Sequence, residues 1–283
     1  MFMSVQDLEQ YVFIKVYLIF ITKYLVKHTT VSVCIGVYMK DAQIEEYGMS
    51  TEDIESFKKR NNHDAKVVYP QNLSNGRMVG MHPDIPFLPI DWETEQDWEG
   101  MHNEAKKLSK HFVAHRTHES HSGWSSLCIH GITSVHTESP HTYGYNNDNA
   151  PWKWTDVAGV CPIITNFFKT QFDYGMYYRI RIMKLAPGGW ILPHRDTIDV
   201  KESHIGPTNL ALNNPEGCDF YMDNIGKLPW KQGRAIKLNL YNVHSVYNHS
   251  NEDRYHLIIH GRYGHSWENR IFNNYKIWKD IYA

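Results

Sequence analysis

Trp98, Met101, Ala105, Leu108 and Phe112 fall at steps of three and four along the chain. That spacing puts all five on one face and predicts an amphipathic helix over 94–112. Upstream, Ser50 followed by Asp53 marks a helix start, and 51–60 (TEDIESFKKR) predicts a short polar helix. Residues 70–89 are rich in Pro, Gly and Asn and predict a loop. After a loop-rich stretch at 134–153, residues 162–172 (PIITNFFKTQF) predict a helix with Pro162 at its start. From Tyr177 the period changes to two. Tyr178, Ile180 and Ile182 alternate with Arg179, Arg181 and Met183, and Pro187-Gly188-Gly189 then predicts a turn. Further strands are expected at 190–194, 207–212, 220–222, 235–241 and 254–260.

Many short strands at such spacing predict a sandwich or barrel. The fold class expected is mixed α/β with a mainly β core at 111–283, preceded by an N-terminal extension with helical support at 1–110. No internal repeat or low-complexity tract interrupts it. Residues 11–26 (YVFIKVYLIFITKYLV) are strongly apolar, but Lys15 and Lys23 break the run. It is therefore too short for a span of about 20 apolar residues, and a strand or buried helix is expected there. Asp7 and Glu9 stand where a signal peptide has a basic region. A start at Met39 or Met49 is the alternative for this segment.

Composition then narrows the function classes. The 283 residues carry 29 Lys+Arg against 31 Asp+Glu, a net charge of −2. That balance gives no footprint for nucleic acid or anionic lipid. Cys34, Cys128, Cys161 and Cys218 are widely spaced, which suggests neither a disulfide framework nor a zinc ribbon. A cytoplasmic location is the expectation. Eighteen histidines stand out, and their spacing decides what they mean.

His194-Arg195-Asp196 puts an imidazole and a carboxylate two residues apart, on one face of an extended segment. His244, just past the apolar run at 235–241, is the candidate third ligand. Two histidines and one carboxylate form the facial set of non-haem Fe(II) oxygenases, which leaves metal positions open for cosubstrate and oxygen. Arg254, at the head of the next strand, is placed to grip a dicarboxylate through a bidentate pair. His256 and His260 alternate with Arg254 on the same face. His256 is read either as a supporting residue of the cofactor site or as a core histidine.

The runs at 185–196 (LAPGGWILPHRD) and 242–261 (NVHSVYNHSNEDRYHLIIHG) resemble the Fe(II)/2-oxoglutarate oxygenases of the aspartyl/asparaginyl β-hydroxylase family, a group similar to the bacterial free-proline hydroxylases. The resemblance covers 154–264 well and extends weakly to 112–116 and Gly123-Trp124. It implies a double-stranded β-helix, also called a jelly-roll or cupin-like core. It also implies Fe(II) and 2-oxoglutarate as cofactors, O₂ as cosubstrate with ascorbate in support, and hydroxylation of an amino-acid side chain. The substrate class it implies is an Asp, Asn or Pro residue, free or within a protein, with release of succinate and CO₂. Carried over by position, His194, Asp196 and His244 match the iron ligands and Arg254 the residue for the distal carboxylate. Asp196 is lacking in vertebrate-type aspartyl hydroxylases, so its presence favours the proline-hydroxylase-like branch and argues against a halogenase. A second departure is at 206–209, where the family carries an Arg and a His and this chain has Gly-Pro-Thr-Asn.

His115, His118 and His121 resemble a metal cluster at a glance, but no carboxylate or Cys stands at ligand spacing, so they are read as solvated or substrate-side residues. Trp124 and Trp190 are expected in the core or on the pocket wall. The alternative for the whole chain is a non-catalytic jelly-roll that keeps the metal site as a structural clasp.

Overall fold

The computed structural model describes residues 50–116, 121–196 and 207–283. The apolar stretch at 11–26, with Met39 and Met49, lies outside the described residues. The chain divides into two units between Ile54 and Glu55. Of the first, residues 50–54 are described. There the Asp53 N–H donates to Ser50 Oγ (3.1 Å) and the Ser50 N–H to Asp53 Oδ2 (3.0 Å), a reciprocal cap that starts helix α1 (Thr51–Asn61). All further elements belong to the second unit, Glu55–Ala283.

The stretch at 70–89 is not the loop that its composition predicts. It contains helix α2 (Gly76–Met81) and enters strand β1 (Phe87–Ile90). Asn75 is the N-cap of α2, its Oδ1 accepting from the Met78 N–H at 2.9 Å. Pro89 is tolerated in β1 because this strand lies at the end of the sheet, where a missing N–H costs no ladder bond. The helix expected over 94–112 forms as α3 (Trp98–Leu108), started by Asp97 and followed by a 3₁₀ turn. Met101, Ala105 and Leu108 enter the core, with Trp98 and Phe112 packed against it.

Strands β2 (Val113–Ala114), β3 (His121–Gly131) and β4 (Lys153–Trp154) precede helix α4 (Pro162–Thr170). The buried Glu104 of α3 ties the two helices together. Its Oε1 and Oε2 each accept at 2.9 Å, from the Ile163 and Ile164 N–H groups, capping the positive end of α4.

Next comes β5 (Met176–His194), a single strand of 19 residues. The predicted turn at Pro187-Gly188-Gly189 is a bulge inside this strand and does not reverse it. On β3, Trp124 faces Leu185 and Ser122 faces Trp190, so one residue of β3 spans four of β5. Gly188 takes φ +71°, and a Cβ at Gly189 would lie 2.8 Å from the Ala186 and Ser122 carbonyl oxygens. Only glycine lets the chain bend this tightly.

The remaining strands are β6 (Thr208–Ala211), β7 (Cys218–Met222), β8 (Gly226–Lys227), β9 (Ala235–Leu238), β10 (His244–Asn248) and β11 (Arg254–Arg262). All pair antiparallel, in the order β1-β9-β6-β11-β5-β10-β7-β8. Before the bulge β5 pairs with β11, and after it with β10. Two leaves, β11-β6-β9-β1 and β10-β7-β8, thus branch from the two halves of one strand and curl into a double-stranded β-helix. Apolar side chains of both leaves, among them Phe87, Ile236 and Leu238 from one and Phe220, Met222 and Val246 from the other, meet between them. The outer face of the first leaf is covered by helices, including the C-terminal α5 (His265–Ile281). Trp267 of α5 is fully buried and stacks on Phe172 at 4.3 Å.

Replacing Trp267 by Ala is expected to lower stability by about 3–5 kcal/mol, read from urea unfolding. Ile277→Ala on the same helix, where the side chain is 61% exposed, should change it by less than about 0.5 kcal/mol.

Candidate active site

The curled sheet holds an open-mouthed cavity of about 340 Å³, and the alternation of β5 and β11 decides what it meets. On β11, Tyr255, Leu257 and Ile259 turn to the helices, while Arg254, His256, Ile258 and His260 line the cavity. On β5, Ile180 and Ile182 turn outward, and Arg179, Arg181 and Met183 line the cavity.

His194 and His244 are directly opposed on β5 and β10. Between Ile191 and His194 the ladder slips by one residue against β10. Pro193 lies in this small bulge and brings no N–H that needs a partner. The bulge frees two carbonyls, and both are used. The Ile191 oxygen accepts from Ser245 Oγ (2.8 Å), and the Leu192 oxygen from His194 Nδ1 (2.7 Å). His244 Nδ1 likewise donates to the Asn242 oxygen at 3.1 Å. With both Nδ1 atoms committed to backbone, each ring offers Nε2 to the cavity. Asp196 is set by its own N–H, which donates to the Leu240 oxygen (3.0 Å), and its Oδ1 lies 3.4 Å from His194 Nε2.

One ligand atom from each of His194, Asp196 and His244 falls within 4.8 Å of the others, and among the described residues no other trio of His, Cys, Asp or Glu does so. Burial, and then the neighbouring His194, push His244 down to about 3, so it is neutral. Burial opposes ionisation of Asp196, but the neighbouring His194, His244 and Arg116 outweigh it and hold its carboxyl well below the usual range. A neutral imidazole, a carboxylate and a second imidazole converging on one point fit Fe(II).

Arg254 and His256 form the next group. Both are buried, and Arg254 Nη2 lies 2.7 Å from His256 Nδ1. Burial, and then the Arg254 charge, keep His256 neutral, so Nδ1 accepts and Nε2 carries the hydrogen. Among the described residues, that Nε2 is buried without a hydrogen-bond partner. The guanidinium and this orphaned donor fit a carboxylate such as the distal end of 2-oxoglutarate. A run of rings joins this pair to the trio: Trp230 meets His256 at 4.6 Å, Phe220 faces Trp230 at 6.3 Å and stacks on His244 at 5.6 Å.

The cavity also holds residues that the sequence pattern left unassigned, Arg179, Arg181 and Glu138. His115 and His121 are 3% and 6% exposed, so the solvated alternative is corrected for both, while the place of His115 agrees with the substrate-side one. His115 lines the cavity, and the His121 ring lies 5.4 Å from that of His194. His118 and Gly206 lie outside the described residues. Trp124 is on the cavity wall, and Trp190 is not among its lining residues.

His115 packs edge-on to Trp124 at 4.3 Å, with Nδ1 3.3 Å from Glu138 Oε1 and Nε2 3.4 Å from Arg181 Nη1. Burial first, and then the Arg181 charge, depress it from 6.5 to about 2. Below pH 6.5 the unfolded chain binds a proton that the folded chain refuses. The stability linked to His115 is therefore full above pH 6.5 and falls toward acid by roughly 1.4 kcal/mol per pH unit. Its ring NMR signals are expected not to titrate between pH 5 and 8, and a midpoint in that interval would contradict the assignment.

No helix among the described residues is long and apolar enough to cross a membrane. No curated protein matches the chain. Its fold is similar to that of a prolyl hydroxylase from Trichoplax adhaerens, solved with a hypoxia-inducible-factor peptide, at 12% identity over 78% of this chain and 96% of that one (TM-score 0.41). It is similar also to a prolyl-4-hydroxylase from Pseudomonas putida, at 13% identity over 67% and 97% (TM-score 0.39). A third is a 2OG-Fe(II) oxygenase family oxidoreductase from Burkholderia pseudomallei, at 12% identity over 71% and 98% (TM-score 0.36). The family model described as aspartyl/asparaginyl beta-hydroxylase matches residues 95–262, more than half of the chain and all of the strands that build the site. The chain belongs to the aspartyl/asparaginyl beta-hydroxylase family.

Proposed function

We propose that His194, Asp196 and His244 hold Fe(II), that Arg254 binds the far carboxylate of 2-oxoglutarate, and that the cavity hydroxylates an amino-acid side chain of the Asp, Asn or Pro kind. The observation that carries this is the arrangement of two donor groups in one cavity: a convergent trio of deprotonatable ligands, and a buried Arg–His pair with a donor left over. Iron with 2-oxoglutarate and O₂ supplies the oxidative chemistry, in which the keto acid loses CO₂ to become succinate and a substrate C–H becomes C–OH.

The chain's own part is orientation and exclusion of water. The Leu192 and Asn242 carbonyls hold the two imidazoles so that Nε2 faces inward. His256 accepts one arm of Arg254 and thereby fixes the plane in which the guanidinium meets a carboxylate. Phe220, Ile191 and Val246 make the adjoining wall apolar, so charges inside interact in a dry environment. A near-neutral surface agrees with a small or peptidyl substrate and with no nucleic-acid partner. A cytoplasmic setting, expected from the dispersed cysteines, belongs to the same proposal.

The test is succinate release with Fe(II), 2-oxoglutarate and ascorbate, together with metal content by elemental analysis. Asp196→Ala and His244→Ala should each lose bound metal and 2-oxoglutarate turnover. Arg254→Gln should keep the metal and raise the KM for 2-oxoglutarate by about tenfold or more, the scale of one lost charge-assisted pair. Wild-type metal binding with no turnover for any amino acid or peptide would favour the non-catalytic clasp instead.

A further inference from the structure

The cavity has a second cationic end, away from Arg254. On β11, Arg254 faces Leu185 of β5, whereas Ile258 faces Arg181. Arg181 is thus four residues along β5 from the Arg254 row, about 13 Å at 3.3 Å per residue. The Arg254–His256 pair already presents a guanidinium and a spare donor for one carboxylate, so the charge at Arg181 is available to a second guest.

That charge is held in an unusual way. Arg181 is 7% exposed, and its Nη1 donates to the Thr137 oxygen at 2.8 Å and lies beside neutral His115. Arg179 donates to the Thr137 oxygen (3.4 Å) and to the Glu138 oxygen. These partners are neutral, and among the described residues neither guanidinium forms an ion pair. Among the described residues, Arg181 Nε is buried with no hydrogen-bond partner. A desolvated cation with an unmatched donor is costly unless an anion completes it.

A complementary orphan lies in the same row of the sheet. Ile258 faces Arg181 on one side and Asn209 of β6 on the other. Asn209 is 5% exposed, and among the described residues its Oδ1 is buried with no hydrogen-bond partner. Arg181 and Asn209 both line the cavity, two strands or about 10 Å apart at the backbone. One wall thus offers an unmatched cationic donor and an unmatched acceptor across the side chain of one isoleucine.

We propose that this row binds a free amino acid as its zwitterion, Arg181 with Arg179 receiving the carboxylate and Asn209 the ammonium group. The substrate of the hydroxylase reading, on which this rests, is then a free amino acid and not a residue within a protein chain. A cavity near the small end of the range for ligand sites, shared with 2-oxoglutarate, agrees with a guest of that size.

The test is isothermal titration calorimetry on the full chain with Fe(II) and 2-oxoglutarate in the absence of O₂. The probes are L-proline, L-aspartate, L-asparagine and L-arginine, each beside its carboxamide and its N-acetyl derivative, and N-acetyl-aspartyl-methylamide as the peptide-like arm. At least one free amino acid should bind, with its carboxamide and N-acetyl form weaker by about tenfold or more each. Arg181→Gln should remove the acid-over-amide preference, and Asn209→Leu the preference for the free amine. Arg181→Lys should keep part of the former, as a point charge does. Equal binding of acid and amide, binding of the blocked peptide alone, no binding by any probe, or an unchanged preference in a folded Arg181→Gln protein would each overturn the proposal. Should Arg181→Gln fail to fold, the wild-type comparison decides alone. The titration needs no turnover, so its failure is distinct from failure of the hydroxylase reading.

Discussion

Everything in this fold depends on one strand being paired along its whole length and bent in the middle. β5 carries β11 on its first half, β10 on its second, and β3 along the opposite edge across the bend. The bulge at 186–189 turns what would be a flat ribbon into the spine of two facing leaves. Because the leaves diverge from a common strand, residues far apart in sequence are brought to fixed separations by ladder bonds alone. His194 against His244 and Leu185 against Arg254 are both register pairs of this spine. His194, His244 and Arg254 are therefore set by the same hydrogen-bond ladder, and Asp196, just past the end of β5, is held by the Leu240 carbonyl.

The same strand explains why so much polarity is buried. A central strand covered on one face by helices and on the other by a second leaf has no solvent side, yet period two still sends alternate residues inward. Ile180 and Ile182 satisfy the helix side, and Arg179 and Arg181 occupy the other. The cost of desolvating those cations is only partly met by the Thr137 and Glu138 carbonyls. The interior leaf also depresses His115, His244 and His256, so three of the cavity's imidazoles are neutral for one physical reason, burial beside positive charge. Neutral imidazoles are what a metal site and a hydrogen-bond relay both require.

The readable parts of the sequence were those in which local spacing and chemistry coincide. The apolar face of α3 shows in steps of three and four, and His194, Asp196, His244 and Arg254 show because their residue types and order are uncommon together. What was hidden depends on pairings at long range. Pro187-Gly188-Gly189 has the composition of a hairpin turn, and only β3 running unbroken beside it makes it a bulge. Asn75 and Pro89 read as loop residues, while their roles are a helix cap and an edge-strand position. Helix α5 carries its period in Trp267, Ile271, Tyr275 and Trp278, but aromatic and Asn residues of modest helix propensity obscure it. For Arg179 and Arg181 the alternation was plain. A charged face on an antiparallel strand is ordinarily the wet one, and only the closed leaves reverse that.

The departure at 206–209 acquires a physical meaning in this frame. The resemblance leads one to expect an Arg and a His on β6, where the chain has Pro207, Thr208 and Asn209. In the sheet, Asn209, Ile258 and Arg181 lie in one row across β6, β11 and β5. Positive charge missing from the β6 end of this row is present at the other end, on β5, the strand that also carries His194. Whatever lies across this row therefore meets a cation on β5, the strand that also ends in His194, and a neutral amide on β6. The trio itself stays where the pairing of β5 with β10 puts His194 and His244.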